Sequence, residues 1–223
     1  VSNWFQTARR HPCGVLLAVQ IVSIVVYPFL GDQSLGRALF GLIGLLVLGL
    51  AVAAVRLTPA LTWISIVLGV PLVVLTVLEG VYPHHETIAL WSAVVHAAFY
   101  LYTGFALIRY MFADAVITVD ELFATGATFT VLAWAWAYLY AATQLIWPDS
   151  FTAAVDPADQ RTWMDLLFLS VTTLTSTGLS DIVPVRPHAR SVVMIEQIVG
   201  MLYLALVVAR ITGLTLRPPS GSD

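Results

Sequence analysis

Six apolar runs, at about residues 13–30, 37–55, 60–79, 87–109, 123–147 and 189–213, constrain this chain more than any other feature. Each is long enough to cross a hydrocarbon core of about 30 Å as a helix, and in lipid a helix satisfies its own backbone. The sequence is 59% hydrophobic and 10% charged over 223 residues. Its mean hydropathy is +0.89. That balance describes a multi-span membrane protein and not a soluble domain. The expected fold class is an all-α integral membrane protein with six transmembrane helices.

All ten basic residues are arginine, and their positions say more than the net charge of -3. No basic face suited to nucleic acid is present. With the N-terminus inside, Arg9, Arg10, Arg56, Arg109, Arg210 and Arg217 are cytoplasmic, against Arg37, Arg161, Arg186 and Arg190 outside. The excess of positive charge sets a multi-pass orientation in the cell membrane with both termini cytoplasmic. The acids agree with it: Asp32, Glu79, Glu86, Asp149, Asp156, Asp159, Asp165 and Asp181 all fall at the outer face. Arg9-Arg10 ahead of an apolar run resembles a secretory signal. No small-x-small cleavage site follows Leu30, so the run is read as a first transmembrane helix. The single cysteine, Cys13, cannot form a disulfide within the chain.

The first four runs are rich in small and branched residues, which suits close helix packing in lipid, and Pro71 predicts a kink in the third. Between the fourth and fifth runs, Phe112, Val116, Val119 and Phe123 recur at helical spacing opposite Asp114, Asp120 and Glu121. This describes an interfacial linker. Thr118 and Glu121 have capping-box spacing, which starts the fifth helix near residue 119. From Trp147 to Trp163 the composition is that of an exposed turret, and 163–175 forms a helix too short to span.

One stretch breaks the apolar pattern. Ser170 to Val185 reads Ser-Val-Thr-Thr-Leu-Thr-Ser-Thr-Gly-Leu-Ser-Asp-Ile-Val-Pro-Val. Hydroxyl side chains, a glycine and a carboxylate between two hydrophobic segments must face water or ions rather than lipid. The stretch resembles the pore loop of the potassium-channel superfamily, whose filter consensus is Thr-Val-Gly-Tyr-Gly-Asp after a short helix ending in Thr-Thr-x-Thr. Aligned without gaps, Thr172-Thr173-Leu174-Thr175 end the pore helix, Ser176-Thr177-Gly178-Leu179-Ser180 form the filter and Asp181 follows.

That resemblance implies a six-helix cation channel, with a re-entrant pore helix and filter loop added to the six spans. Residues 1–112 would be a four-helix peripheral domain, 113–122 the linker, 123–217 the pore domain and 218–223 a short tail. A dehydrated cation needs a cage of oxygens, and one strand supplies only one side. Several copies must therefore close the ring, and the resemblance implies a homotetramer. The carbonyls of Thr175, Ser176, Thr177, Gly178 and Leu179 would line the axis, with Ser180 closing the filter and Asp181 at the outer mouth. The expected ligand is permeant K+ or another monovalent cation, with no cofactor and no further metal; the other partners are the lipid bilayer and the chain's own copies.

Two departures from the consensus stand out. Gly178 keeps the first filter glycine, but Ser180 replaces the second, so the outer end is expected to be bent, widened or differently hydrogen-bonded. Leu179 replaces the bracing tyrosine, and a single glycine followed by Leu-Ser is also similar to filter segments of potassium-uptake proteins. Potassium conduction is the leading reading. A weakly selective monovalent-cation channel and a non-conducting sensor or scaffold stand beside it. A metal enzyme using His84, His85, Glu86 and His96 leaves the filter stretch unexplained, and a transporter predicts an internal repeat that is absent.

Further residues have expected roles. Glu196, an intramembrane carboxylate, needs a partner, and is expected to brace the pore helix through Thr172 or Thr173. Gly200 falls where the family has a gating hinge; close helix packing is its other reading. Met201, Leu204 and Val208 form an apolar stripe toward the cavity, or helix core. The fourth helix carries only Arg109, too little charge for strong voltage gating. His96 is expected to be a hydrogen-bonded buried histidine, or a proton sensor if it meets water.

Overall fold

A computed structural model describes residues 11–30, 47, 49–50, 62–82, 85–113 and 118–215. Among the fully described elements, five long helices, one short helix and a two-stranded ribbon follow in order: α1 (Pro12–Leu30), α2 (Thr62–Val81), α3 (Glu86–Met111), α4 (Val119–Ile146), β1 (Phe151–Thr152), α5 (Trp163–Leu174), β2 (Val183–Pro184) and α6 (Pro187–Thr215). Among the described residues, four helices are long and apolar enough to cross a bilayer: α1, α3, α4 and α6. The apolar part of α2, Val67–Val81, is shorter. Most of the run expected at 37–55 lies outside the described residues, as do Arg9, Arg10, Asp32, Arg37, Arg56, His84, Asp114, Val116 and Arg217.

The helix ends follow from local chemistry. Thr118 caps α4, its hydroxyl accepting from the Glu121 N–H at 3.2 Å, with Asp120 and Glu121 in the first turn where carboxylates favour the dipole. The helix thus begins at Val119, as the Thr118 spacing anticipates. α3 carries Glu86 in its first turn and Arg109 in its last, the favourable polarity for both. α5 begins with a reciprocal capping box: Thr162 accepts from the Asp165 N–H, and the Asp165 carboxylate accepts from the Thr162 N–H. At 12 residues it is about 18 Å long, too short to cross a bilayer.

α4 is the central element. It packs against α1, α3, α5 and α6, while α2 reaches the bundle through α3. Its buried residues surround the helix, and Ala124, Ala127, Ala133, Ala135 and Ala137 among them bring neighbours close. α1 and α3 therefore both lie against α4. Polar seams reinforce this packing. The Thr130 hydroxyl donates to Gln20 Oε1 at 2.6 Å, joining α4 to α1, and the Tyr203 hydroxyl donates to the Thr125 carbonyl at 2.6 Å, joining α6 to α4.

The end of the bundle away from the turret is tied at the start of α4. Asp120 Oδ1 accepts from the Cys13 N–H of α1 at 3.2 Å, and Oδ2 from the Tyr110 hydroxyl of α3 at 3.3 Å. Glu121 pairs with Arg210 of α6 at 3.1 Å, and that guanidinium also lies 5.0 Å from the centroid of the Phe112 ring. Adjacent carboxylates thus hold different partners, one the peripheral helices and the other the end of α6.

The all-α expectation needs one correction. Phe151 pairs with Pro184 and Thr152 with Val183 in an antiparallel ribbon that ties the turret to the segment leaving the hydroxyl-rich stretch. The turret is also clamped from within. Gln144 bonds both backbone groups of Arg161, donating to its carbonyl at 2.9 Å and accepting from its N–H at 3.2 Å. Arg161, expected as an outer charge, is buried and donates to the carbonyls of Val155, Asp156 and Asp159.

Candidate functional site

The hydroxyl-rich stretch turns back on the C-terminus of α5. A helix leaves its last carbonyls without intrahelical partners, and here the following residues supply the donors. The Thr175 N–H donates to the Val171 carbonyl at 3.1 Å, and Ser176 to Thr173 at 3.0 Å. The N–H groups of Thr177 and Gly178 both donate to the Thr172 carbonyl, each at 3.1 Å. The Thr177 hydroxyl adds a bond to the same oxygen at 3.2 Å, and the hydroxyls of Thr175 and Thr177 lie 2.9 Å apart. The Thr175 hydroxyl donates to the Val171 carbonyl at 2.7 Å. Thr172 and Thr173, expected as filter supports, contribute their backbone carbonyls.

The backbone explains this convergence. Ser176 has φ 57° and Gly178 φ 65°, while Thr177 between them is not in the left-handed region. Alternation of this kind gathers successive N–H groups on one side of the chain. They gather around the Thr172 oxygen. Among the described residues nothing donates to the carbonyls of Thr175, Ser176 and Thr177. Left-handed geometry suits Gly178 and costs about 1–2 kcal/mol at Ser176. The sequence gives no sign of that second left-handed residue.

Beyond Gly178 the path departs from the expected one. The Gly178 carbonyl accepts from the Ser180 N–H at 3.0 Å, so it is not free in the way the preceding three are. The Ser180 hydroxyl accepts from the Ile182 N–H at 3.1 Å. Leu179 projects outward, 79% exposed, and Asp181 is exposed beyond it. Asp165, expected among the outer acids, is instead occupied in capping α5.

Glu196 of α6 is fully buried, but its partners are not the expected threonines. Its Oε1 accepts from the Ser170 hydroxyl at 2.5 Å, and its Oε2 accepts from the Tyr140 hydroxyl. The Thr172 hydroxyl instead donates to the Leu169 carbonyl at 2.9 Å, in its own helix. One turn beyond Glu196, a Cβ on Gly200 would lie 2.6 Å from the Leu174 carbonyl oxygen and 2.8 Å from its Cα. Gly200 is therefore a place of direct backbone contact between α6 and α5. Met201, Leu204 and Val208 on α6 are 65%, 39% and 62% exposed within the chain. They are not part of its own core.

Other candidate residues lie elsewhere. His96 is buried on α3; its Nδ1 is 2.8 Å from the Ser92 carbonyl and its ring stacks on Tyr138 at 4.4 Å. Glu79 accepts from the Ser92 hydroxyl at 2.6 Å. Among the described residues no three His, Cys, Asp or Glu side chains form a metal-sized group. His85 precedes α3 with no side-chain cap bond.

Residues 126–216 match a family model described as ion channel. The match runs from within α4 through α5 and the hydroxyl-rich stretch to the end of α6. A search of curated proteins and one of solved structures found no match. The match covers less than half of the chain and supports an ion channel, which is not an enzyme.

Proposed function

We propose that the chain conducts monovalent cations, chiefly potassium, through a filter formed by Thr175–Asp181 of four copies around a common axis. The observation that carries this reading is the backbone pattern. The N–H groups of Thr175 to Gly178 are all engaged with the end of α5, and the carbonyls of Thr175, Ser176 and Thr177 have no donor among the described residues. Oxygens left this way can replace the water of a cation. The C-terminal end of α5, negative by its dipole, lies against the same segment and favours positive charge.

Several copies follow from the need to enclose the ion, and four is the number that the resemblance to potassium channels implies. The segment 175–179 is exposed within one chain, as are Met201 and Val208 on α6. Neighbouring copies would cover part of this surface, and the rest would line an apolar cavity. In this reading the helix expected at 37–55 completes six spans, the turret faces outward and both termini are cytoplasmic.

The bond from the Ser180 N–H to the Gly178 carbonyl favours a second reading, weak selectivity, because it engages one of the oxygens expected to line the filter. Planar bilayers with potassium on one side and sodium on the other decide between them. Reversal near the potassium equilibrium potential is expected. Reversal near zero with anions impermeant would establish the weakly selective channel, and no current at any voltage would refute conduction.

A further inference from the structure

The geometry points to Glu196, with Ser170 and Tyr140, as the group that positions the ion filter from behind. The inference rests on the proposed filter and goes beyond it by assigning a role to three residues that would never touch the ion.

Glu196 has no exposed surface and Ser170 has none either. The carboxylate accepts one hydroxyl from α5 and one from α4, so a single side chain of α6 binds the other two helices of the pore segment. A buried carboxylate in a membrane protein is costly unless it is partnered. Here its partners are two hydroxyls on two different elements. Ser170 lies one turn before Leu174, and Glu196 one turn before Gly200. The Glu196–Ser170 bond and the Gly200–Leu174 backbone contact therefore form two points of attachment with equal spacing along both helices. Two points fix both the distance and the axial register of α5 against α6; one would fix only the distance.

The consequence reaches the filter through the backbone. Val171, Thr172 and Thr173 follow Ser170 directly, and their carbonyls are the acceptors that hold the N–H groups of Thr175 to Gly178. A displacement of α5 at Ser170 therefore moves every acceptor on which the filter is hung. The link also extends outward, since the Tyr140 ring meets Phe151 of β1 edge-on at a centroid distance of 5.2 Å. The turret ribbon, the carboxylate and the filter are mechanically one unit.

The test uses the purified full-length protein and follows heat dissociation of its oligomer in potassium, sodium and choline chloride. A cation bound in the filter stabilises the assembly by mass action, whereas choline is too large to enter. The unmodified chain is expected to dissociate at a higher temperature in potassium than in choline. Ser170→Ala and Tyr140→Phe each remove one hydroxyl with little change of volume. Each is expected to lower the dissociation temperature more in potassium than in choline, and so to lose most of the potassium-dependent shift. Glu196→Leu is expected to lose the shift, and adding Ser170→Ala to it to lose nothing more. Equal lowering in all three salts would assign the network a purely structural role and overturn the inference. So would a full potassium-dependent shift in both hydroxyl variants. Absence of any ion-dependent shift in the unmodified chain would refute the filter itself, and this inference with it.

Discussion

Replacing Gly200 by alanine separates the two readings of that residue by the sign of its effect. If Gly200 serves only as a flexible point in α6, alanine improves the helix, by about 1 kcal/mol per chain. The structure gives a different expectation. The added Cβ would sit 2.6 Å from the Leu174 carbonyl oxygen, 2.8 Å from its Cα and 3.1 Å from its carbonyl carbon. These are backbone atoms, which cannot turn away as a side-chain tip can, so α5 and α6 must separate. Overpacking of this kind costs about 1–3 kcal/mol, and more where the backbone itself must move. Set against the helix gain, the net expectation is a loss of up to about 2 kcal/mol per chain. For a chain of this length that lowers the midpoint of thermal unfolding by up to about 8 °C. The assay is a thermal melt of the purified protein in detergent. Gly69→Ala serves as the control, because a Cβ at Gly69 in α2 meets nothing within 4 Å. A melting temperature that rises in Gly200→Ala as it does in the control would refute the close contact and restore the hinge.

Two other perturbations test separate parts of the structure. Gly178→Ala places a side chain at φ 65°, at a cost of about 1–2 kcal/mol per chain, and is expected to abolish potassium flux into liposomes; Ser176→Gly, relieving φ 57°, is expected to preserve it and to raise the melting temperature. Glu121→Gln or Arg210→Gln breaks a largely buried ion pair and is expected to cost about 3 kcal/mol, with Glu121→Arg combined with Arg210→Glu recovering part of that loss in the same melt.

The sequence was most legible where one residue type has one physical use. Thr118 followed by Glu121 located the start of α4, and the short apolar run ending in Thr-Thr-Leu-Thr located α5, because caps and helix length are local properties. The position of Glu196 in an apolar helix announced a buried partner, but not which one. Ser170, Thr172 and Thr173 all offer hydroxyls within one helical turn, and only the rotation of α5 against α6 brings Ser170 to the carboxylate. Likewise the turret acids looked equivalent in the sequence. Asp165 caps a helix while Asp149 pairs with Arg186 at 3.5 Å, a difference set by chain path rather than residue type. The left-handed Ser176 was hidden for the opposite reason: serine is seldom placed there, and the local hydrogen bonds of residues 176–178 to the end of α5 accompany that conformation.

The bond from Asp120 to the Cys13 N–H gives the chain an order of manufacture. The first turn of α1 presents N–H groups that no residue of its own helix can satisfy, and one of them finds its acceptor 107 positions later. Gln20 in the same helix meets Thr130, 110 positions later. During synthesis α1 is therefore threaded into the bilayer long before the residues that complete it exist. Its seat becomes available only when α4 arrives, so the native packing of α1 is reached after α4 has been made.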